Sequence, residues 1–274
     1  MTTDFRLSLY ETSMSLIDIG ANLTHDSFAE DLDQVLASAA DHQVEKMVVT
    51  GASLQGSEDA LRLARSYPGL LYATAGIHPH HAEETNTESL MILRDLAHAS
   101  EVKAIGEAGL DFFRNFSPKD SQIKSFESHI ELAIETGLPM FLHERDSHPT
   151  FRDVLKPHRD KLGSIVVHCF TGEAEALYAY LDLDCYIGIT GWICDERRGA
   201  HLVPLVREIP KDRLMIETDA PYLMPRTISP KPKSRRNEPQ YLTYVCEFIA
   251  NCVDESFESV AQRTKHNAER FFSI

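Results

Sequence analysis

Short, nearly continuous apolar runs recur along the chain, each followed by a longer stretch in which apolar residues return every three or four positions. The runs are Leu16–Ile19, Lys46–Val49, Leu70–Ala75, Val102–Ile105, Met140–Leu142, Ile165–Val167, Cys185–Ile187 and Leu214–Ile216. Runs of this kind, without polar alternation, predict parallel strands buried on both faces. Between them, Phe28, Leu32, Val35, Leu36 and Ala39 share one helix face, as do Ile123, Phe126, Ile130, Ala133 and Ile134. The second helix is predicted to start at Ser117, with Pro118 in its first turn, and to stop at Gly137 before Pro139. Strand and helix repeated eight times predict one α/β domain, a single (β/α)8 TIM barrel, for which roughly 250 residues suffice. Residues 239–252 and 255–272 read as closing helices. The barrel is expected over residues 15–274, with residues 1–14 a loose N-terminal extension.

The composition narrows the setting. The 274 residues carry 27 basic and 42 acidic side chains, a net charge of −15, which excludes nucleic-acid binding through a broad basic surface. One stretch departs from this: Arg226, Lys231, Lys233, Arg235 and Arg236 lie close together with no acid among them. Five cysteines, odd in number and without a CxxC pair, suggest reduced thiols. No apolar run reaches the roughly 18–20 residues of a membrane span, and the opening residues do not form a secretory signal. A cytoplasmic, monomeric protein without membrane attachment is the expectation.

Candidate chemistry sits where strands are expected to end, since a parallel barrel gathers its loops at that face. Glu107, His143, His168 and Asp219 are 36, 25 and 51 residues apart, which matches one, one and two strand–helix units. A barrel therefore brings four scattered side chains to one mouth. Two imidazoles and two carboxylates suit a divalent cation, one able to polarise a phosphoryl or carbonyl oxygen and lower the pKa of bound water. Glu107 is the candidate to bridge two ions, and Asp219 to take a proton from the attacking water. His78 and His80, on either side of Pro79, are expected close to the same centre.

These segments also carry a resemblance. DIGANLT, GIHPH, IGEAGLDFFRNF, FLHERDSH, VHCFTG, GITGWICDERRG, IETDAPYLMPR and PKPKSRRNEP are similar to the signatures of the TatD family of metal-dependent deoxyribonucleases, from Leu16 to Phe272. The resemblance implies a TIM-barrel hydrolase using a divalent metal, magnesium first and manganese or zinc as alternatives. Its implied substrate is single-stranded DNA or a frayed 3′ end, and RNA as a further option, degraded 3′→5′ in DNA repair or turnover. It further implies that Glu107, His143 and His168 are metal ligands, Asp219 the catalytic aspartate and metal partner, and His78 and His80 active-site histidines. Many members carry an H-x-H pair after the first strand, where this chain has Gly20-Ala21-Asn22. One of two metal positions is thereby weakened, and a loosely held ion that keeps several waters is expected.

With phosphate as substrate, Arg145, Arg235 and Arg236 become candidate contacts, Asn22 a substrate-side amide, and Trp192 and Phe112 candidate base-stacking surfaces. Arg197 and Arg198 are weaker candidates beside Asp195 and Glu196. Two alternatives keep the barrel: hydrolysis of a small amide, ester or lactone, and a purely structural metal site, which the lack of cysteine ligands disfavours.

Overall fold

A computed structural model describes residues 15–274; the expected extension over residues 1–14 lies outside them. Eight parallel strands follow in chain order around a sheet: β1 (Leu16–Ala21), β2 (Val44–Val49), β3 (Leu71–Ala75), β4 (Val102–Asp111), β5 (Met140–Arg145), β6 (Ile165–Val167), β7 (Tyr186–Ile189) and β8 (Leu214–Ile216). Helices alternate with them: α1 (Leu32–Asp41), α2 (Leu54–Ser66), α3 (Thr87–Ala97), α4 (Lys119–Thr136), α5 (His148–Leu155), α6 (Ala174–Asp182) and the one-turn α7 (Leu202–Leu205). Two helices follow β8, α8 (Leu242–Val253) and α9 (Phe257–Phe272). The fold is the expected (β/α)8 barrel.

The strands divide their side chains between two apolar layers. Ile17, Ile19, Val48, Ala104, Phe141, Val166, Tyr186 and Met215 cluster together, and Phe271 and Phe272 from the end of α9 join them. Their chain neighbours Met47, Val49, Met140, Leu142, Ile165, Val167, Leu214 and Ile216 pack instead with residues of the surrounding helices. Period-two alternation thus fills the barrel with one set and binds the helices with the other.

The barrel closes less by ladder than by side chain. Between β1 and the segment after β8 there is a single bridge, Ala21 to Ala220, with Asp219 N–H donating to the Gly20 carbonyl at 2.8 Å. Fully buried Asp18 supplies further links by accepting from the Thr218 amide at 2.9 Å and from the Thr218 hydroxyl. Burial raises the Asp18 carboxyl to about 7 against the pull of those hydrogen bonds. The folded protein therefore keeps a proton that the unfolded chain releases near pH 4, and this contribution is lost as pH rises from about 4 to about 7. Asp18→Asn, which copies the protonated form, is expected to gain on the parent between about pH 5 and about pH 8, by roughly 3 kcal/mol at most. Urea unfolding at the two pH values measures it; an unchanged difference counts against the assignment.

Three boundaries differ from expectation in ways that matter for the site. β4 runs on to Asp111 and β5 to Arg145, so Glu107 and His143 lie inside strands rather than beyond them. Gly106 and Gly109 permit this, with φ of 140° and 136°; a β-carbon on either would sit 2.0 Å from the Phe141 or His143 carbonyl oxygen of β5. At α4, Pro118 is the N-cap and no side chain caps the helix, because the Ser117 hydroxyl donates to the His80 carbonyl instead. Gly137 ends that helix in the left-handed conformation, as the sequence suggests.

Candidate active site

The mouth formed by the C-terminal ends of the strands holds a cleft of about 660 Å³. Its floor is an imidazole cluster around one oxygen. Glu107 Oε1 lies 2.8 Å from His168 Nε2, 3.1 Å from His143 Nδ1 and 3.3 Å from His78 Nε2. The residues come from four places, β4 for Glu107, β5 for His143, the end of β6 for His168, and the turn after β3 for His78. A second acid, Asp111, ends β4 and stands 2.8 Å from His80 Nε2 and 3.5 Å from His143 Nε2. His143 therefore lies between two carboxylates, one toward each ring nitrogen.

The electrostatics follow from this crowding. Burial alone would raise Glu107, yet His78, His168 and His143 outweigh it and hold the carboxyl well below its usual range. Burial, reinforced by the neighbouring imidazoles, pushes His78 well below the ordinary histidine value. For His143 and His168 burial acts downward too, but carboxylates on both sides prevail and raise them. Asp219 behaves differently. Its carboxyl is raised to about 7 by burial and by the nearby charges of Glu107 and Glu217, with His168 and Asn22 opposing. It lines the cleft and accepts from the Asn22 side chain at 3.0 Å, rather than joining the imidazoles at Glu107 Oε1.

Whether these residues suit a cation can be judged from the chain itself. One ligand atom each from His78, Glu107 and His143 lies within 4.8 Å of the others. His143 Nε2 is buried without a hydrogen-bond partner; its 3.5 Å separation from Asp111 is an ion-pair distance only. Three imidazole nitrogens with carboxylate oxygens form a donor set that divalent first-row cations and zinc accept. The residues fit.

The other expected contacts separate. Arg145 lines the cleft, its guanidinium 4.3 Å from the Phe113 ring centroid and 5.3 Å from that of Trp192. Asn22 also lines it but spends its amide on Asp219 and the Ala220 carbonyl. Arg236 does not join them. Its guanidinium is held by the Asp31 carboxylate at 2.7 and 2.8 Å and by Glu238 at 2.9 Å, so the expected phosphate contact is replaced by an internal ion-pair fork. Arg235 is exposed and is not among the residues lining the cleft. Arg226 closes on Glu196, and Arg197 on Asp195. Within the basic stretch, Arg226 and Arg236 thus tie segments of the chain together, and none of its five cations lines the cleft.

The stacking surfaces change as well. Phe112 packs on the core beneath Lys119, and Trp192 carries the guanidinium of Arg198 at 4.3 Å. The open aromatic rings at the cleft are instead Phe116, 67% exposed beside His80, and Tyr222, 51% exposed beyond Asp219. Phe116 meets His80, in the segment after β3, and Tyr222 meets His25, in the segment after β1.

Asp111, Glu217, Phe116 and Tyr222 were not singled out from the sequence. A signal for Asp111 existed, since Glu107, Gly109 and Asp111 alternate onto one face once β4 is allowed to continue. Glu217 had the same relation to Asp219.

A protein-family model described as TatD related DNase matches residues 17–273. A curated relative from Pantoea sp. (strain At-9b), named 3′-5′ ssDNA/RNA exonuclease TatD, is 46% identical over 259 residues, covering 94% of this chain and all of its own. The protein of the same name from Edwardsiella piscicida is 47% identical with the same coverage. Among solved structures, YJJV, a TatD homolog from Escherichia coli K12, superposes with a TM-score of 0.86 at 27% identity, over 94% of this chain and 98% of that one.

Proposed function

The chain belongs to the TatD related DNase family, and from that premise we propose that it is a metal-dependent exonuclease that shortens single-stranded DNA and RNA from the 3′ end. The observation that carries the reading is the convergence of three imidazoles on Glu107 Oε1 at 2.8–3.3 Å, in an open cleft that also holds Arg145 and Asp219. His78, Glu107, His143 and His168 are the residues to hold the cation. Magnesium is the ion proposed, with manganese and zinc as alternatives that the imidazoles also suit, because Gly20 and Asn22 bring no imidazole from the end of β1 and so leave more of the coordination to water. When bound, such a cation polarises the phosphoryl group and makes water a stronger acid.

The protein's own groups do the rest. Asp219 accepts the proton of the attacking water, with Asn22 fixing the direction of its carboxyl. Arg145, its guanidinium held against Phe113 and Trp192, presents its donors to a phosphate oxygen. His80, tethered to Asp111, contacts the scissile phosphate from the β3 side. Phe116 and Tyr222 receive unpaired bases, which a stacked duplex cannot supply. A small amide or ester would leave these arginine and aromatic rims without use.

A single-stranded oligonucleotide labelled at its 5′ end and incubated with magnesium tests the reading. Stepwise shortening that keeps the label, stopped by EDTA, is expected. Intact DNA alongside hydrolysis of a generic ester would sink it. Two substitutions divide the binding terms. Phe116→Ala is expected to weaken single-strand binding by about 1–3 kcal/mol, roughly 5- to 150-fold. Arg145→Ala is expected to reduce the slope of log K against log salt by about 1, whereas Arg236→Ala leaves that slope unchanged. Fluorescence anisotropy across a salt series reads all three.

A further inference from the structure

A buried carboxylate beyond β7 takes no part in the proposed reaction. Asp195 ends the 3-10 turn Gly191–Cys194 and is 1% exposed. Its Oδ2 accepts from Arg198 Nε at 2.9 Å and from Arg197 Nη2 at 3.1 Å. Its Oδ1 accepts from the Arg197 amide at 3.0 Å and from Arg197 Nε at 3.2 Å. The loop around it is tight. Gly199 N–H donates to the Asp195 carbonyl at 2.7 Å, and a β-carbon on Gly199 would lie 2.0 Å from the Trp192 carbonyl oxygen. Trp192 Nε1–H in turn donates to the Arg198 carbonyl at 3.2 Å.

Only one of the two arginines borders the cleft. Arg198 and Trp192 line it, whereas Arg197 is not among the lining residues. The half-exposed Arg198 side chain lies with its guanidinium 4.3 Å from the indole centroid. Its Nε is spent on Asp195, but Nη1 and Nη2 have no hydrogen-bond partner among the described residues. That leaves one edge of a planar fork open, the edge that pairs with two oxygens of a phosphate. The single charge of Asp195 is shared by two guanidinium groups, so the pair leaves positive charge at the rim of an otherwise acidic chain. Arg145 stands over the same indole at 5.3 Å.

We propose that Arg198 grips a second phosphate, the one next to the scissile linkage on the retained strand, and that Asp195 is the positioning residue that aims it. Arg145 and Arg198, gathered at one ring, then meet neighbouring phosphates of one chain. A strand cut at its 3′-terminal linkage keeps all its other internucleotide phosphates on the 5′ side, so the second contact lies there. This inference rests on the 3′→5′ reading above and adds to it the length of strand that the cleft recognises.

Oligonucleotides without terminal phosphates separate the two contacts, since a dinucleotide has one phosphate and a trinucleotide two. With magnesium, kcat/KM of the parent for the trinucleotide is expected to exceed that for the dinucleotide by about tenfold or more. Arg198→Ala should erase that advantage and leave the dinucleotide unchanged. Arg197→Ala, on the same carboxylate but away from the cleft, should leave both unchanged. Asp195→Asn keeps the shape without the charge and should follow Arg198→Ala; thermal melting checks its fold, and the exposed Arg198→Ala decides if it is unfolded. Equal losses on both substrates in Arg198→Ala, no loss on either, or the same trinucleotide loss in Arg197→Ala overturns the proposal. Binding to a longer single strand in EDTA keeps it apart from the nuclease reading. The Arg145→Ala/Arg198→Ala protein is expected to lose about 2 from the slope of log K against log salt, against about 1 for either change alone. A double variant that loses no more than Arg145→Ala also overturns it. If the slopes behave as expected while the parent shortens no oligonucleotide, the Arg198 contact stands and it is the exonuclease reading that fails.

Discussion

Glu107→Gln is expected to remove cation binding and lower kcat by about three orders of magnitude or more, since several kcal/mol of charge stabilisation is at stake and each 1.36 kcal/mol is about tenfold. The reason lies in one atom. Oε1 of Glu107 is the shared neighbour of His78, His143 and His168, so it supplies the negative charge around which three imidazoles can approach. Glutamine keeps the shape and leaves the barrel intact, but a neutral amide offers no such counter-charge. The clearest measurement is thermal melting with and without cation. The parent should gain about 2.7 kcal/mol when the cation is present at a hundred times its Kd, and the variant should gain nothing. A Glu107→Gln protein that is still stabilised by magnesium and still degrades oligonucleotides would remove the basis of the proposed site.

Asp219→Asn is the second large effect. A positioned base contributes about 10²- to 10⁴-fold, and the loss should fall on kcat with KM nearly unchanged, because the side chain meets the water rather than the nucleotide. Burial raises this carboxyl to about 7, and it works as a base only when ionised, so kcat/KM of the parent is expected to fall as pH drops below that value. A bound cation favours the ionised form and moves the limb to lower pH. The variant should show no such limb. Stability runs the other way. The folded protein holds a proton on Asp219 that the unfolded chain gives up near pH 4, so this site costs stability as pH rises through about 7. Metal-free Asp219→Asn should therefore melt above the parent near pH 8 and close to it near pH 5. A parallel pH profile for the two proteins would show that the essential base lies elsewhere.

The contrast between Arg145 and Arg236 shows where inference from the chain alone reaches its limit. Arg145 ends β5 and Arg236 lies in the segment between β8 and α8, and from the sequence both read equally well as phosphate contacts. What separates them is Asp31, which lies 205 residues before Arg236 in sequence and within hydrogen-bond distance in space. No local pattern announces such a partner. Phe112 and Phe113 teach the same lesson at a single step: adjacent and identical, one packs on the core beneath Lys119 while the other is 53% exposed under Arg145.

The sequence by itself determined the strands, the helices and their order, because burial on both faces of a parallel strand and on one face of a helix writes a period directly into the apolar residues. It also determined that Glu107, His143, His168 and Asp219 share the barrel mouth, since strand register follows from the length of the repeating unit. Only the tertiary structure decided which oxygen the imidazoles surround, that Asp111 and Glu217 stand at either edge of the cluster, and which cations are already neutralised. Those outcomes depend on distances of 2.5–3.5 Å between residues far apart in the chain, and electrostatic and hydrogen-bond energies are set by such distances and by burial, neither of which leaves a periodic trace along the sequence.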